Sequence, residues 1–174
     1  PGSGKTTLAR IICGQLGAHF EQMSAVLDGV KELRNVLDHA QRYQQHDKNT
    51  VLFVDEVHRF NKAQQDAFLP HIESGLITLI GATTENPSFE INSSLLSRLR
   101  VYVLKKLNDD ELSIVAKRAL ESQSINLEDD GSLSQIIAAS GGDARRLINI
   151  IEQLSQKSNK TINKNDVAKT LQEK

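Results

Sequence analysis

Two hydrophobic patterns alternate along the first hundred residues of the chain. Apolar residues spaced three and four apart predict two helices, on the faces Leu8, Ile11, Ile12, Leu16 and Val30, Leu33, Val36, Leu37, Ala40. Short runs of consecutive apolar residues predict three strands, at 51–56, 76–84 and 101–104, and the segment AHFEQMSA at 18–25 is a candidate for a fourth. Strands that alternate with helices indicate a parallel α/β sheet.

A third helix is predicted from Asn61 to Glu73, with Gln64 in the capping-box position and Gly75 at its end. Pro70 is expected to bend this helix, because a proline ring has no N–H and clashes with the preceding turn.

The pattern changes at about Lys105, after which strand-like runs are absent. Four helices are predicted there, at 108–122, 130–140, 143–158 and 164–173. We therefore predict two domains: an α/β domain at 1–105 and a small all-helical domain at 106–174.

Composition adds little to this picture. Hydrophobic residues make up 39% and charged residues 25% of the 174 residues, as in ordinary globular proteins. The net charge of −1 indicates no general attraction to nucleic acid. Cys13 is the only cysteine, so it forms no intrachain disulfide, and we expect a small buried residue. No apolar run approaches the ~18 residues of a membrane span.

The first ten residues, PGSGKTTLAR, carry the first candidate chemistry. Gly4, Lys5 and Thr6 match the end of the phosphate-binding motif G-x-x-x-x-G-K-[ST]. In this loop, backbone N–H groups at a helix amino end surround phosphate, Lys5 contacts the β- and γ-phosphates, and Thr6 ligates Mg²⁺. The predicted nucleotide-binding residues are Gly2, Ser3, Gly4, Lys5, Thr6 and Thr7. The motif's first glycine would precede Pro1, so we expect a strand and the start of the loop upstream, and low stability for this segment alone.

Two acidic residues end the strand at 51–56. In phosphoryl-transfer sites a carboxylate at the position of Asp55 holds Mg²⁺, often through water. Glu56 is placed to orient and deprotonate an attacking water. Because a P-loop kinase needs no such base, the pair predicts an ATPase that uses ATP and Mg²⁺.

Residues 52–104 resemble a known family. The segments FNKAQQDAFLPHIE and GATTENPSFE are similar to those of the bacterial replication-associated ATPases called RarA or MgsA, whose eukaryotic relative is the Werner-helicase-interacting ATPase. These two segments are the specific parts of the resemblance, which runs from Pro1 through the helices after Lys105 and so covers nearly the whole chain. It implies the AAA+ fold of the clamp-loader and RuvB-like clade: a P-loop parallel sheet, here without its first strand, and a helical lid.

The same resemblance implies a function. The family's members are DNA-stimulated ATPases of replication-fork maintenance and recombination, cytoplasmic and nucleoid-associated. Expected partners are DNA junctions or ends, a single-stranded-DNA-binding protein and further copies of the chain, a tetramer in this family. Alternatives are a clamp-loader subunit, a RuvB-like branch-migration motor, or a nucleotide-gated recruitment module that needs little turnover.

Further site residues follow from the resemblance alone. Thr83, or its neighbour Thr84, matches the sensor-1 position near the γ-phosphate. Arg98, with Arg100 as the alternative, matches the arginine finger that reaches a neighbouring subunit's ATP. In GGDARRLIN the family match selects Arg145 over Arg146 as the sensor-2 arginine, a choice that helical periodicity leaves open.

Three more side chains near the acids carry weaker hypotheses. His58 stands in a D-E-x-H box and either relays between nucleotide and DNA or has a simple structural role. Arg59 and Lys62 either contact DNA phosphates or belong to a solvated helix start.

Overall fold

The computed structural model describes residues 2–157 and 161–172. The chain divides into two units. The sheet unit is Lys5–Val103, and the helical unit is Leu104–Lys174 together with Pro1–Gly4. Within the described residues, no helix has the length and apolar character needed to cross a bilayer.

A three-stranded parallel sheet organises the sheet unit. Its strands are β1 (His19–Ser24), β2 (Thr50–Asp55) and β3 (Ile77–Gly81), in the order β1-β2-β3. The register pairs Phe20 with Val51 and Phe53 with Ile80. β2 lies in the middle and is buried from Thr50 to Val54, as a strand covered on both faces must be. Three of the four predicted strands are thus confirmed, and so is the α/β fold class.

Six helices accompany the sheet. They are α1 (Lys5–Gln15), α2 (Val30–Gln44), α3 (Lys62–Asp66), α4 (Leu69–Glu73), α5 (Pro87–Glu90) and α6 (Ser93–Leu96). The single helix predicted from Asn61 to Glu73 is two helices, although its Asn61–Gln64 capping box is present. α3 ends at Asp66, four residues before Pro70, where a continued helix would place the Asp66 carbonyl against the proline ring.

Helix α1 packs through its smallest side chains. Ala9 and Cys13, four residues apart, are 2% and 1% exposed, and Ala9 packs in one cluster with Phe53 of β2 and Ala82, the residue after β3. The larger residues that predicted this helix are exposed: Leu8, Ile11, Ile12 and Leu16. The helix was predicted correctly, but small residues form its buried face because they let the helix backbone approach the sheet closely. The burial expected for Cys13 is confirmed, and it raises the pKa of the thiol.

The prediction of a strand at 101–104 is wrong. Residues 101–104 form no strand, and all four side chains are exposed. A strand needs a neighbour that accepts its backbone hydrogen bonds, and within the described residues this segment has none. High β-propensity in Val and Tyr does not substitute for a pairing partner.

The helical unit has a core of its own. Its elements are α7 (Asp109–Ser122), β4 (Asn126–Leu127), α8 (Asp130–Ser140), α9 (Ala144–Lys157), β5 (Thr161–Ile162) and α10 (Lys164–Gln172). All four predicted helices are present, and their predicted last residues 158 and 173 lie outside the described residues. The parallel pair β4–β5, of two residues each, was not predicted, because two residues show no periodicity.

Candidate active site

The amino end of α1 lies at the carboxyl edge of the sheet. α1 ends at Gln15, and β1 begins four residues later, at His19, beside the first residue of β2. The carboxyl end of the helix is therefore at the amino edge of the strands. Since an 11-residue helix is about 16 Å long and Ala9 packs on Phe53 and Ala82, Lys5 lies towards the opposite edge, where β2 and β3 end.

A strained turn follows β2 at this edge. Glu56 has φ 52° and ψ 42°, a left-handed conformation that few residues other than glycine adopt. The turn is fixed on both sides, because the Glu56 N–H donates to Asp55 Oδ1 at 3.1 Å and the Val57 N–H donates to the Ala82 carbonyl at 3.0 Å. Strain of this kind persists where the surrounding structure over-determines it, which is common at functional sites.

Gly81, the last residue of β3, makes room for this turn. A Cβ built on Gly81 would lie 3.1 Å from Val57 Cγ1, closer than most side chains tolerate. A side chain at position 81 would therefore require Val57, in the turn after β2, to shift by a few tenths of an ångström.

Four polar side chains meet where β2 and β3 end. The Thr84 hydroxyl donates to Glu56 Oε2 at 3.2 Å, and His58 Nδ1 lies 3.3 Å from the same oxygen. His58 Nδ1 also lies 2.8 Å from the Thr83 hydroxyl oxygen. The candidate base and both candidate sensor-1 threonines thus form one hydrogen-bonded group with His58.

The donor atoms on either side of this edge fit a magnesium ion. Mg²⁺ prefers oxygen and is held in phosphoryl-transfer sites by one or two protein ligands, with phosphates and water completing its shell. Thr6 supplies a hydroxyl in the first turn of α1, and Asp55 a half-buried carboxylate at the end of β2. No cluster of three or more His, Cys, Asp or Glu in the described part of the chain is arranged to hold a metal, so a site built by protein ligands alone is not seen there.

Arg98 is held by a carboxylate of its own chain. Its Nε donates to Glu73 Oε1 at 2.7 Å, and one terminal nitrogen donates to the Ser94 carbonyl at 2.8 Å. Both members of the ion pair are substantially exposed, so the pair itself contributes little stability. The arginine is accessible and partly oriented.

The helical unit brings part of the phosphate loop to the start of α9. The Gly2 carbonyl accepts a hydrogen bond from the Ala144 N–H at 3.3 Å. A Cβ on Gly2 would overlap the Asp143 carboxylate, so a side chain at this position would displace that carboxylate. Gly2 and Gly4 both have positive φ, 72° and 78°.

The candidate sensor-2 arginine follows directly. Arg145 and Arg146 are both exposed, and both line a cavity of about 230 Å³ with Asp143, Asn149, Ile150 and Gln153. The Arg146 backbone N–H donates to Asp143 Oδ1 at 3.0 Å. The structure does not distinguish Arg145 from Arg146 as the sensor-2 arginine, and helical periodicity did not distinguish them either.

The class of P-loop nucleotide-binding proteins has two defining features. One is the phosphate-binding motif that leads into a helix, here α1, and the other is a carboxylate at the end of a buried parallel strand, here Asp55 of β2, followed by Glu56. Within that class, the chain belongs to the AAA family, the ATPase family associated with various cellular activities, whose sequence model matches residues 1–107.

Curated relatives agree with the resemblance drawn from the sequence. The chain is 49% identical to replication-associated recombination protein A of Haemophilus influenzae over 177 residues, which is 98% of this chain and 40% of that protein. It is 45% identical to the ATPase WRNIP1 of Dictyostelium discoideum, over 92% of this chain and 19% of that protein. The chain therefore spans well under half the length of these relatives.

A solved structure shares the fold. The Holliday junction branch migration motor RuvB of Thermotoga maritima superposes with a TM-score of 0.82 at 30% identity, over 99% of this chain and 58% of that chain. The AAA fold predicted from the resemblance is thereby confirmed.

Several contacts of the site were not predicted. The sequence placed Thr84 only as a substitute for Thr83, yet its hydroxyl bonds the Glu56 carboxylate directly. The contact of Gly2 with Asp143 was missed, because no sequence signal reports which distant residue meets a loop glycine. For His58, the D-E-x-H spacing was the available signal.

Proposed function

We propose that this chain is the ATP-hydrolysing part of an oligomeric, DNA-stimulated AAA ATPase that acts at replication forks and in recombination. One observation carries the hydrolytic part of the proposal: the strained Glu56 turn, whose carboxylate is bonded at the carboxyl edge of the sheet beside Asp55. The identity to replication-associated recombination protein A supports the cellular role.

The binding residues have separate roles in this proposal. The backbone of Gly2–Gly4, with Thr7 beside them, cradles phosphate, and Lys5 carries the positive charge next to the β- and γ-phosphates. Thr6 and Asp55 would hold Mg²⁺, which neutralises phosphate charge when bound. Arg145 contacts the phosphates as sensor 2.

The chemical step is assigned to Glu56. Its carboxylate takes a proton from water while the water oxygen forms a bond to the γ-phosphorus. The bond between that phosphorus and the β–γ bridging oxygen breaks, and its electrons leave with ADP. Thr83 donates a hydrogen bond to the γ-phosphate or to the water.

The oligomer is required by Arg98. In the proposal this arginine reaches the ATP of a neighbouring copy and stabilises charge that develops in the transition state, as arginine fingers do. Its exposure and its orientation by Glu73 support this role. Arg59 and Lys62, both exposed, are proposed to contact DNA phosphates near the site.

The Glu56→Gln variant tests the hydrolytic role. Gln keeps the size of the side chain but cannot accept the proton, so we expect unchanged ATP affinity and a kcat about 10²- to 10⁴-fold lower. Asp38→Asn, which neutralises an exposed carboxylate on α2, is the matched control and should keep normal turnover. Normal hydrolysis by Glu56→Gln would remove Glu56 as the base. Rescue of stalled forks by the same variant would favour a recruitment module.

Mixing variants tests the finger in trans. Glu56→Gln and Arg98→Ala are each expected to be slow alone. A mixed oligomer contains sites that join a normal Glu56 to a normal Arg98 of the neighbour, so mixing should restore part of the activity. No recovery in mixtures that form oligomers would contradict an arginine supplied by a second copy.

A second candidate function is a branch-migration motor. It is favoured by the TM-score of 0.82 to RuvB, whose description names that activity. The higher identity to replication-associated recombination protein A makes it the secondary choice.

A further inference from the structure

One histidine ring lies between two side chains that have roles in the proposed reaction. His58 Nδ1 is 2.8 Å from the Thr83 hydroxyl oxygen and 3.3 Å from Glu56 Oε2. The ring belongs to the 3₁₀ turn Val57–Arg59 after β2, and its side chain is only 7% exposed. The protein, and not bulk water, therefore supplies the partners of Nδ1.

The neighbours select the form of the ring. An unprotonated Nδ1 would point its lone pair at a carboxylate oxygen of Glu56, so that two acceptors would face each other. A proton on Nδ1 removes this conflict and gives a donor that Thr83 and Glu56 can both accept. We therefore assign the Nδ1–H tautomer from the contacts.

This tautomer fixes the direction of the Thr83 hydroxyl. Thr83 Oγ1 also accepts the Glu85 backbone N–H at 3.0 Å. A hydroxyl has two acceptor lone pairs and one proton. With Glu85 and His58 donating to the lone pairs, the proton of Thr83 remains to be donated, which suits a phosphate oxygen or an attacking water.

The same nitrogen restrains the candidate base. Glu56 Oε2 is contacted by His58 and by the Thr84 hydroxyl, whereas no hydrogen bond from the described residues reaches Oε1. One carboxylate oxygen is thus held by the protein, and the other remains for water.

We propose that His58 is a positioning residue that couples Thr83 to Glu56 through one shared Nδ1–H. The ring holds the threonine hydroxyl as a donor towards the γ-phosphate, and it holds the carboxylate that takes the proton from water. The proposal rests on the roles given above to Glu56 and Thr83. It adds a residue that acts through Thr83 and Glu56 rather than on the nucleotide itself.

Two substitutions of His58 separate positioning from packing. In His58→Asn the amide N–H lies near the position of Nδ1–H, whereas His58→Leu fills similar space without a donor. We expect His58→Leu to lower kcat about 10- to 100-fold, the effect of one hydrogen bond to a charged group, with KM for ATP within about 3-fold. His58→Asn should recover most of the lost rate.

A histidine outside the candidate site supplies the control. His46→Leu removes an exposed histidine from the sheet unit and should leave turnover unchanged. Normal turnover by His58→Leu, or an equal loss in His58→Asn and His58→Leu, would overturn the proposal.

A spectroscopic measurement tests the tautomer without ATP turnover. Protein labelled with ¹⁵N-histidine should show a proton on His58 Nδ1, and the signal is assigned by its absence from the His58→Asn variant. A proton on Nε2 alone would overturn the proposal even if the Leu variant fails to fold.

The turnover of three variants separates an error in this proposal from an error in the proposed function. If Glu56→Gln and Thr83→Val hydrolyse ATP normally, the assigned site is wrong and the coupling falls with it. If both are slow while His58→Leu is normal, only the coupling is wrong.

Discussion

The helical unit buries the apolar faces of its helices, whereas the sheet unit leaves much of one helix face in solvent. On α9, Leu147, Ile150, Ile151 and Leu154 are at most 2% exposed. On α1, Leu8, Ile11 and Ile12 are 39% to 53% exposed, and Leu16, directly after the helix, is 69% exposed. The helical unit has the residue distribution that packing alone requires. In the sheet unit, packing explains why the strand residues are buried, but it does not explain the polar residues that follow the strands.

Both units contain non-glycine residues at positive φ, Ser124 in the helical unit and Asp47 and Glu56 in the sheet unit, but their polar contacts differ. Helices of the helical unit begin with ordinary caps, such as the Asn108–Glu111 capping box and Asp129 at α8. The sheet unit places Glu56 in a left-handed conformation and joins it to Thr84 and His58. We infer that substitutions in the helical core act mainly on stability, and that substitutions at the sheet edge act mainly on turnover.

The largest expected effect on stability belongs to the helical core. Leu147→Ala removes a fully buried side chain and should lower the free energy of unfolding by about 2–5 kcal/mol. Ile148→Ala, on the solvent side of the same helix, should change it by less than about 0.5 kcal/mol. Urea unfolding of both variants measures the difference. Equal losses would show that α9 is not packed as described.

At the sheet edge we expect a smaller effect on stability, in which glycine is preferred to alanine. Because glycine adopts the left-handed conformation without strain, Glu56→Gly should be more stable than Glu56→Ala by up to about 1 kcal/mol. At Lys117, inside α7, the order should reverse, and alanine should be the more stable by about 0.5–1 kcal/mol. Denaturant unfolding of the four variants tests both signs. An alanine preference at position 56 would mean that the turn is unstrained.

The smallest expected effect concerns pH and the helical unit. The Ser132 backbone N–H donates to the Asp129 carboxylate, and this bond lowers the pKa of Asp129 below its usual value. Since the folded pKa is the lower one, the stabilisation is present above the unfolded pKa of about 3.9 and is lost as pH falls through the folded value.

Asp129→Asn keeps a capping oxygen but does not titrate there. We expect the melting temperature of the wild type to fall relative to that of Asp129→Asn as pH drops below about 4, with Asp129→Ala lower than both near neutral pH. Thermal melts from pH 3 to 7 test this order. A constant difference between wild type and Asp129→Asn would contradict the cap.

The sequence predicted those parts of the fold that depend on local pattern. The run VLFVD has no polar residue before Asp55, so it predicted a central buried strand, and β2 is that strand. VYVL is similarly rich in β-branched and aromatic residues but has no partner within the described residues, and it forms no strand. Pattern identifies a segment that is able to form a strand, but the neighbouring chain decides whether it does.

The sequence predicted which residues belong to the candidate site, but it did not predict which of them contact one another. The loop glycines follow from the phosphate-binding motif, and Asp55 and Glu56 follow from their position at the end of an apolar run. The bonds of Glu56 with Thr84 and His58 depend on a left-handed turn and on the glycine at position 81, and no periodicity reports either. The pairing of Arg98 with Glu73 crosses 25 residues of sequence and was equally hidden.

In the proposed mechanism, the bond between Thr84 and Glu56 would link the base to a surface loop away from the nucleotide. Thr84 opens the exposed loop that leads into α5, where the Phe89 side chain is 85% exposed. In that mechanism, a change in the position of this loop would move Thr84, and Glu56 Oε2 would lose the hydroxyl donor that Thr84 supplies.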